Sequence, residues 1–376
     1  MVRGMLRRPL AVLVLITAVQ LACVTRGSNT GTAEPDVEAE PSIPEVSTPA
    51  SDVTAPPDVG AAPVASVVAV VDRDAKTVML ELVQTAKTSI DVFHFELIQS
   101  GSVKSLFSAL TAAVQRGVTV RVFLDEAVDV SQDAVTALTA AGAQAKIDKT
   151  STTTHLKVMI ADRKDLLIGS TNLSGASLDF NHETNVRVRD PKVVAFVASY
   201  LDELWKKSNH KPTQRVLSQA GGPSAWVDGG YTTVALPVLD AAKKSVEIIM
   251  YGMNFDPAFP TGPVPDLFAA LERAEKRGVV VRILLEASKD NVDLTELNQK
   301  AAARLRSYGC EVKFDTPDTV THAKLVVIDA TTALVGTNNW GYDGLNNNHE
   351  GGVVTTEATA VAAFGTYFAA QWAAAP

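Results

Sequence analysis

Two histidines, His155 and His322, each open the same polar series. From His155 it runs through Lys157, Asp162, Gly169, Ser170, Asn172 and Glu183; from His322 it runs through Lys324, Asp329, Gly336, Thr337, Asn339 and Glu350. The offsets 0, 2, 7, 14, 15, 17 and 28 are the same in both copies. A lone His-x-Lys carries almost no information, and a lone Gly-Ser-x-Asn reads as a turn. Their joint recurrence is different. It assembles an imidazole, the side chain that exchanges protons near neutral pH, with an ammonium, a hydroxyl, an amide and a carboxylate, twice.

The elements that must position these groups follow from local periodicity. In a strand, residues i and i+2 share a face, so His155 and Lys157 point one way around Leu156, as His322 and Lys324 do around Ala323. Both strands reach a turn ("ADRKD", "DATTA") and return through "LLIGS" or "LVGT". A hairpin folded near 162–163 brings Ser170 back beside His155 and Thr337 beside His322, with Asn172 and Asn339 two residues further on the same face. Asp162 lies seven residues from His155, about 23 Å along an extended strand, so it cannot orient that histidine. Asp162 and Asp329 are therefore expected to be structural, capping amides at the turn. The expected orienting carboxylates are Glu183 and Glu350, because a carboxylate on one imidazole nitrogen fixes the tautomer and raises the basicity of the other. His182 and His349, just before them, read equally as supporting groups or as solvated loop. His94 reads as pocket wall, and His210 receives no role.

The repetition extends beyond the motifs. "AKTSIDVFHF" and "KKSVEIIMYG" each read as a helix end and a buried strand, and "LTAAVQRGVTVRVFLDEA" matches "LERAEKRGVVVRILLEAS" as helix, Arg-Gly, strand. Strands alternating with amphipathic helices predict an α/β protein of two tandem halves with mainly parallel sheets flanked by helices. The halves are expected at 66–210 and 231–376, with a Pro/Gly-containing linker at 211–230.

The paired motifs resemble those of the phospholipase D superfamily, His-x-Lys-x4-Asp followed by Gly-Ser/Thr-x-Asn, and the resemblance covers residues 66–376. It implies two halves packed about a pseudo-two-fold axis with one active site between them, which makes a monomer the expected state. It also implies phosphodiester chemistry without a metal or other cofactor, and no Cys/His cluster or Asp/Glu array in the sequence offers a metal site. Lys157, Lys324, Asn172 and Asn339, joined by Ser170 and Thr337, would neutralise the phosphoryl group. By the same resemblance His155 is the nucleophile that forms a phosphohistidine, and His322 acts as acid and then base.

Composition bears on location and substrate. A basic start (Arg3, Arg7, Arg8) and an apolar run from Leu10 to Ala22 read as a signal peptide over residues 1–22. "VQLAC" resembles a lipoprotein processing site with Cys23 as the lipidated residue, although Gln20 stands where a Leu is usual. Residues 23–65, rich in Pro, Ala and acids and without an aromatic, read as a disordered tether. The protein is thus expected to be exported and anchored to a membrane, or else secreted. Setting aside three leader arginines and a tether of net −6, the rest carries −5 of the chain's −8. So acidic a body is a poor general trap for nucleic acid. A phospholipid or membrane surface is the expected partner, and an exported nuclease is the alternative. Of the two cysteines, Cys310 reads as a small apolar residue opening a strand. Trp340 and Tyr342 read as groove or as core, and the Pro-rich insertion at 254–266 as pocket border or plain loop.

Overall fold

A computed structural model describes residues 66–207, 210–287, 289 and 291–376. Residues 1–22, the expected tether at 23–65 and the expected lipidation site Cys23 lie outside the described residues.

The first half runs β1 (Val67–Val71), α1 (Asp74–Thr85), β2 (Ser89–His94), α2 (Val103–Gln115), β3 (Thr119–Asp125), α3 (Ser131–Ala140), β4 (Gln144–Asp148), β5 (Lys157–Ala161), β6 (Asp165–Gly169), α4 (Gly175–Asp179), β7 (Thr184–Val188) and α5 (Pro191–Lys206). After β8 (Gln214–Leu217), the second half repeats it: β9 (Ser224–Asp228), α6 (Tyr231–Ala241), β10 (Ser245–Met250), α7 (Pro263–Lys276), β11 (Val280–Leu285), α8 (Val292–Ser307), β12 (Glu311–Phe314), β13 (Lys324–Ile328), β14 (Thr332–Gly336), α9 (Tyr342–Asn346), β15 (Gly351–Thr355) and α10 (Ala358–Ala374).

Each half builds one sheet, in the order β1-β7-β6-β5-β2-β3-β4 and β12-β11-β10-β13-β14-β15-β9-β8. The α/β class and the duplication are as expected, but the sheets are mixed rather than mainly parallel. Only β2-β3-β4 and β10-β11-β12, the strands joined by crossover helices, run parallel; every other pairing is antiparallel. The motif segments pair as hairpins, and a hairpin is antiparallel by construction. Residues 211–230 are not a linker: they hold β8 and β9, and β9 pairs with β15 as β1 pairs with β7. The Pro and Gly residues there mark turns at a sheet edge.

Three cores follow from the layering. Outer faces pack on α1–α3 in one half and on α6–α8 in the other. The inner faces share a third core, in which Val158 and Ile160 of β5 join Leu325 and Val327 of β13 with α5 and α10. A strand buried on both sides reads as a continuous apolar run, which is why "KVMIA" and "KLVVI" show no alternation. Among the described residues no helix is long and apolar enough to cross a membrane.

Candidate active site

The hairpins place the motif residues at the ends of β5, β6, β13 and β14. Pairing of Val158 with Ile168 and of Leu325 with Val335 closes each hairpin about Arg163 and Ala330. Asp162 and Asp329 sit at these turns with φ of 51° and 54°. Asp162 accepts the N–H groups of Lys87, Thr88 and Ser89, and Asp329 those of Lys243, Lys244 and Ser245. They are capping groups, as the sequence spacing required; the amide donors outweigh partial burial and hold Asp162 at about 2.

Gly169 and Gly336 end the return strands for a steric reason. A Cβ on Gly169 would lie 2.4 Å from Asn185 Cα, and one on Gly336 would lie 2.5 Å from the Trp226 ring. The neighbouring β7 in the first half, and the Trp226 ring of β9 in the second, can approach only a residue without a side chain.

The carboxylates cross between halves. His155 Nδ1 lies 2.9 Å from Glu350 Oε1, and His322 Nδ1 lies 3.1 Å from both oxygens of Glu183. An ionised carboxylate only accepts, so each Nδ1 carries the hydrogen and each Nε2 is left free. Burial raises the Glu183 pKa, but His322, Lys324 and Ser170 outweigh it and hold the carboxyl at about 2. Burial also lowers both imidazoles, His322 to about 4, against the pull of their carboxylates.

Backbone bonds cross in the same sense. His155 N donates to His349 O at 3.0 Å, and His322 N donates to His182 O at 2.9 Å. Isolated bridges pair Thr154 with His349 and His182 with Thr321. Each histidine is therefore pinned, ring and backbone, to the loop of the opposite half.

Ser170 and Thr337 do not stand where a phosphate ligand should. Strand register puts Ser170 across from Leu156 rather than His155. Its hydroxyl donates to Glu183 Oε2 at 2.5 Å, and the Thr337 hydroxyl donates to Glu350. Both are fully buried. They lock the carboxylates that lock the histidines.

The remaining donors fit an anion. Lys157 and Lys324 are almost fully buried, each bonded to the carbonyl oxygen of its own histidine. Burial pulls Lys157 down to about 8 and Lys324 to about 7. Their ammoniums face Phe95 and Tyr251, 5.4 Å and 4.9 Å from the ring centroids, and the same rings meet His155 and His322 edge to face. The Oδ1 atoms of Asn172 and Asn339 are buried with no partner among the described residues, in both halves alike; an amide oxygen accepts, so each lacks a donor rather than an anion.

Other residues move from their expected places. His182 and His349 are not solvated loop: His182 lies 3.2 Å from Asp72, and His349 is buried against Tyr200 and Asp228. His210 is buried with its ring 5.3 Å from that of His349. Trp340 is core, bonded to the Tyr231 hydroxyl, whereas Tyr342 is half exposed and stacks on Phe259 of the Pro-rich insertion. Burial pushes the Cys310 thiol up to about 12, consistent with a packing role. Asp72, Asp228, Tyr200 and Tyr367 were missed; the repeats Val-Asp and Tyr five residues before Trp were the available signals.

Comparison with known proteins bears on the family and the fold. The family described as cardiolipin synthase, phospholipase D-like domain, matches residues 79–205 and 236–372. The chain is 26% identical over 162 residues to a mitochondrial cardiolipin hydrolase of Xenopus tropicalis, covering 43% of this chain and 70% of that one. It is 23% identical over 313 residues to cardiolipin synthase B of Salmonella typhi, covering 75% and 74%. In fold it is similar to a phosphatidylserine synthase of Haemophilus influenzae, with a TM-score of 0.62 at 12% identity over 82% of this chain and 86% of that one. The chain belongs to the cardiolipin synthase, phospholipase D-like domain family and is a phospholipase D-like phosphodiesterase.

Proposed function

We propose that the protein hydrolyses or transfers the phosphatidyl group of phospholipids through a covalent phosphohistidine. The observation that carries this reading is the crossed pair of Nδ1–carboxylate contacts, which frees two Nε2 atoms beside two buried ammoniums. His155 Nε2 attacks phosphorus, and the bond to the leaving alkoxide breaks as His322 supplies its proton. Water or a second alcohol then gives its proton to His322 and attacks phosphorus, and the N–P bond breaks. Burial keeps the nucleophile neutral; a bound phosphodiester adds negative charge beside both rings and raises His322 toward the protonated state an acid needs.

A lipid substrate is supported by relatives named as cardiolipin hydrolase and cardiolipin synthase, and by an acidic body. Both motif copies lie in one chain, which favours a monomer. The leader and Cys23 support export with a lipid anchor; replacement of Cys23 by Ser should release the protein from membranes, and unchanged fractionation removes the anchor.

The test uses the full chain with mixed phospholipid vesicles, ethanol and EDTA. Phosphatidylethanol formed by the protein, and not by His155→Ala, is expected. Its absence alongside cleavage of single-stranded DNA would move the substrate to nucleic acid. A rate lost in EDTA and restored by a divalent cation would overturn the metal-free mechanism.

A further inference from the structure

Behind each carboxylate lies a second trio of polar groups that the reaction itself does not use. In the first, the Tyr367 hydroxyl donates to Asp72 Oδ1 at 2.7 Å, and Asp72 Oδ2 lies 3.2 Å from His182 Nδ1. Asp72 also takes the backbone N–H of Glu183 at 2.8 Å and returns its own N–H to the Glu183 carbonyl at 3.0 Å. In the second trio, the Tyr200 hydroxyl donates to Asp228 Oδ1, which lies 3.1 Å from His349 Nδ1. Asp228 N donates to Glu350 O at 2.8 Å.

Each trio is built across the halves. Tyr367 comes from α10 of the second half to residues of the first, and Tyr200 comes from α5 of the first to residues of the second. Asp72 directly follows β1 and Asp228 ends β9, both at positive φ, 47° and 53°, a conformation rare outside Gly and tolerated best by Asn and Asp. The loop each trio holds carries two contacts to the opposite histidine: the His182 or His349 carbonyl to its backbone, and the Glu183 or Glu350 carboxylate to its ring.

We propose that Asp72, His182 and Tyr367 are positioning residues for His322, and that Asp228, His349 and Tyr200 are positioning residues for His155. A carboxylate aims an imidazole only as well as its own backbone is fixed, and these bonds fix it. The two trios differ in their connections. Asp72 grips the Glu183 amide directly, whereas the second oxygen of Asp228 is taken by Thr213 N at 2.7 Å. The second trio is fully buried, while in the first the His182 and Asp72 side chains are each 24% exposed and Tyr367 is buried. His210, Asp228 and His349 bring donor atoms within 4.8 Å of one another. His349 Nε2 already faces the His210 carbonyl at 3.2 Å, and its Nδ1 faces Tyr200 and Asp228, so both nitrogens of His349 are engaged in hydrogen bonding, whereas His210 Nδ1 has no partner among the described residues.

The assignment rests on the phosphohistidine reading for its kinetic test and is independent of it for its spectroscopic one. Tyr367→Phe and Asp72→Asn should impair proton delivery by His322, which an alkoxide leaving group needs and a nitrophenolate does not. The ratio of the single-turnover rate of leaving-group release from phosphatidylglycerol vesicles to that from bis(p-nitrophenyl) phosphate should fall about tenfold, with KM changed less than about twofold. Tyr200→Phe should slow both substrates together, because attack by His155 precedes either departure. In the free protein, proton NMR should show the Tyr367→Phe change moving the Nδ1–H resonance of His322 and leaving that of His155, and Tyr200→Phe doing the reverse. Unmoved resonances in variants that melt like the parent would overturn the proposal. If the parent cleaves neither substrate, the functional reading falls while the resonances still decide the positioning.

Discussion

Strand β2 runs out into His94, Phe95 and Glu96, where its counterpart β10 runs out into Met250, Tyr251 and Gly252. The registers are equivalent: His94 lies opposite Lys157 as Met250 lies opposite Lys324. Yet the first half has a buried imidazole, neither nitrogen of which has a partner among the described residues, and a carboxyl raised by burial against the pull of Ser174 and Lys157. The second half has a thioether and two glycines, Gly252 and Gly341, where Glu96 and Ser174 stand in the first. Groups that hold one another across the axis are matched, whereas groups one position removed are not. A two-fold frame supplies two similar histidines, and the wall beside them is where the two halves differ.

The sharpest test of that comparison replaces each histidine in turn. His155→Ala should reduce turnover of every substrate by about a thousandfold or more. His322→Ala should do so on phosphatidylglycerol but lose far less in the single-turnover release of nitrophenolate from bis(p-nitrophenyl) phosphate at pH 7, the step that needs no acid. Equal losses on both substrates would mean that the halves are chemically interchangeable.

Removing the carboxylates should follow the crossing rather than the chain. Glu350→Gln should reproduce the substrate pattern of the His155 variant, and Glu183→Gln that of the His322 variant, each with a loss of about a hundredfold. The opposite pairing, measured on the same two substrates, would dissolve the crossed assignment.

The lysines make a milder, pH-dependent prediction. Burial depresses Lys324 to about 7 and Lys157 to about 8, so in the empty site their charge is present at lower pH and lost as pH rises through those values. KM for an anionic diester should rise roughly tenfold between pH 7 and 9, since each group loses about tenfold of its charged form per pH unit above its pKa. A flat KM would show that neither ammonium meets the phosphoryl group.

The smallest effects are on stability. Exchanging His94 for the Met of the other half removes a buried, unpartnered imidazole and should stabilise by about 1 kcal/mol or more. A fall in activity instead would give His94 a chemical role. Asp162→Ala and Asp329→Ala, which strip equivalent amide caps, should each cost about 1 kcal/mol, and urea midpoints would show whether the halves unfold together.

Spacing alone was enough to place several features. Offsets shared by two copies identify the duplication, strand parity puts His155 with Lys157, and the reach of an extended chain excludes Asp162 as the partner of its histidine. The buried strands and the small apolar role of Cys310 follow from composition. What local sequence could not supply is everything that depends on which half faces which. The Glu350–His155 contact joins residues 195 apart, and the Glu183–His322 contact joins residues 139 apart. No periodicity encodes a partner across an axis. For the same reason Ser170 and Thr337 look like phosphate ligands until the register turns them toward the carboxylates, and residues 211–230 look like a linker until β9 finds β15. Chain chemistry chose the groups; only packing of two similar surfaces against each other decided which imidazole each carboxylate would aim.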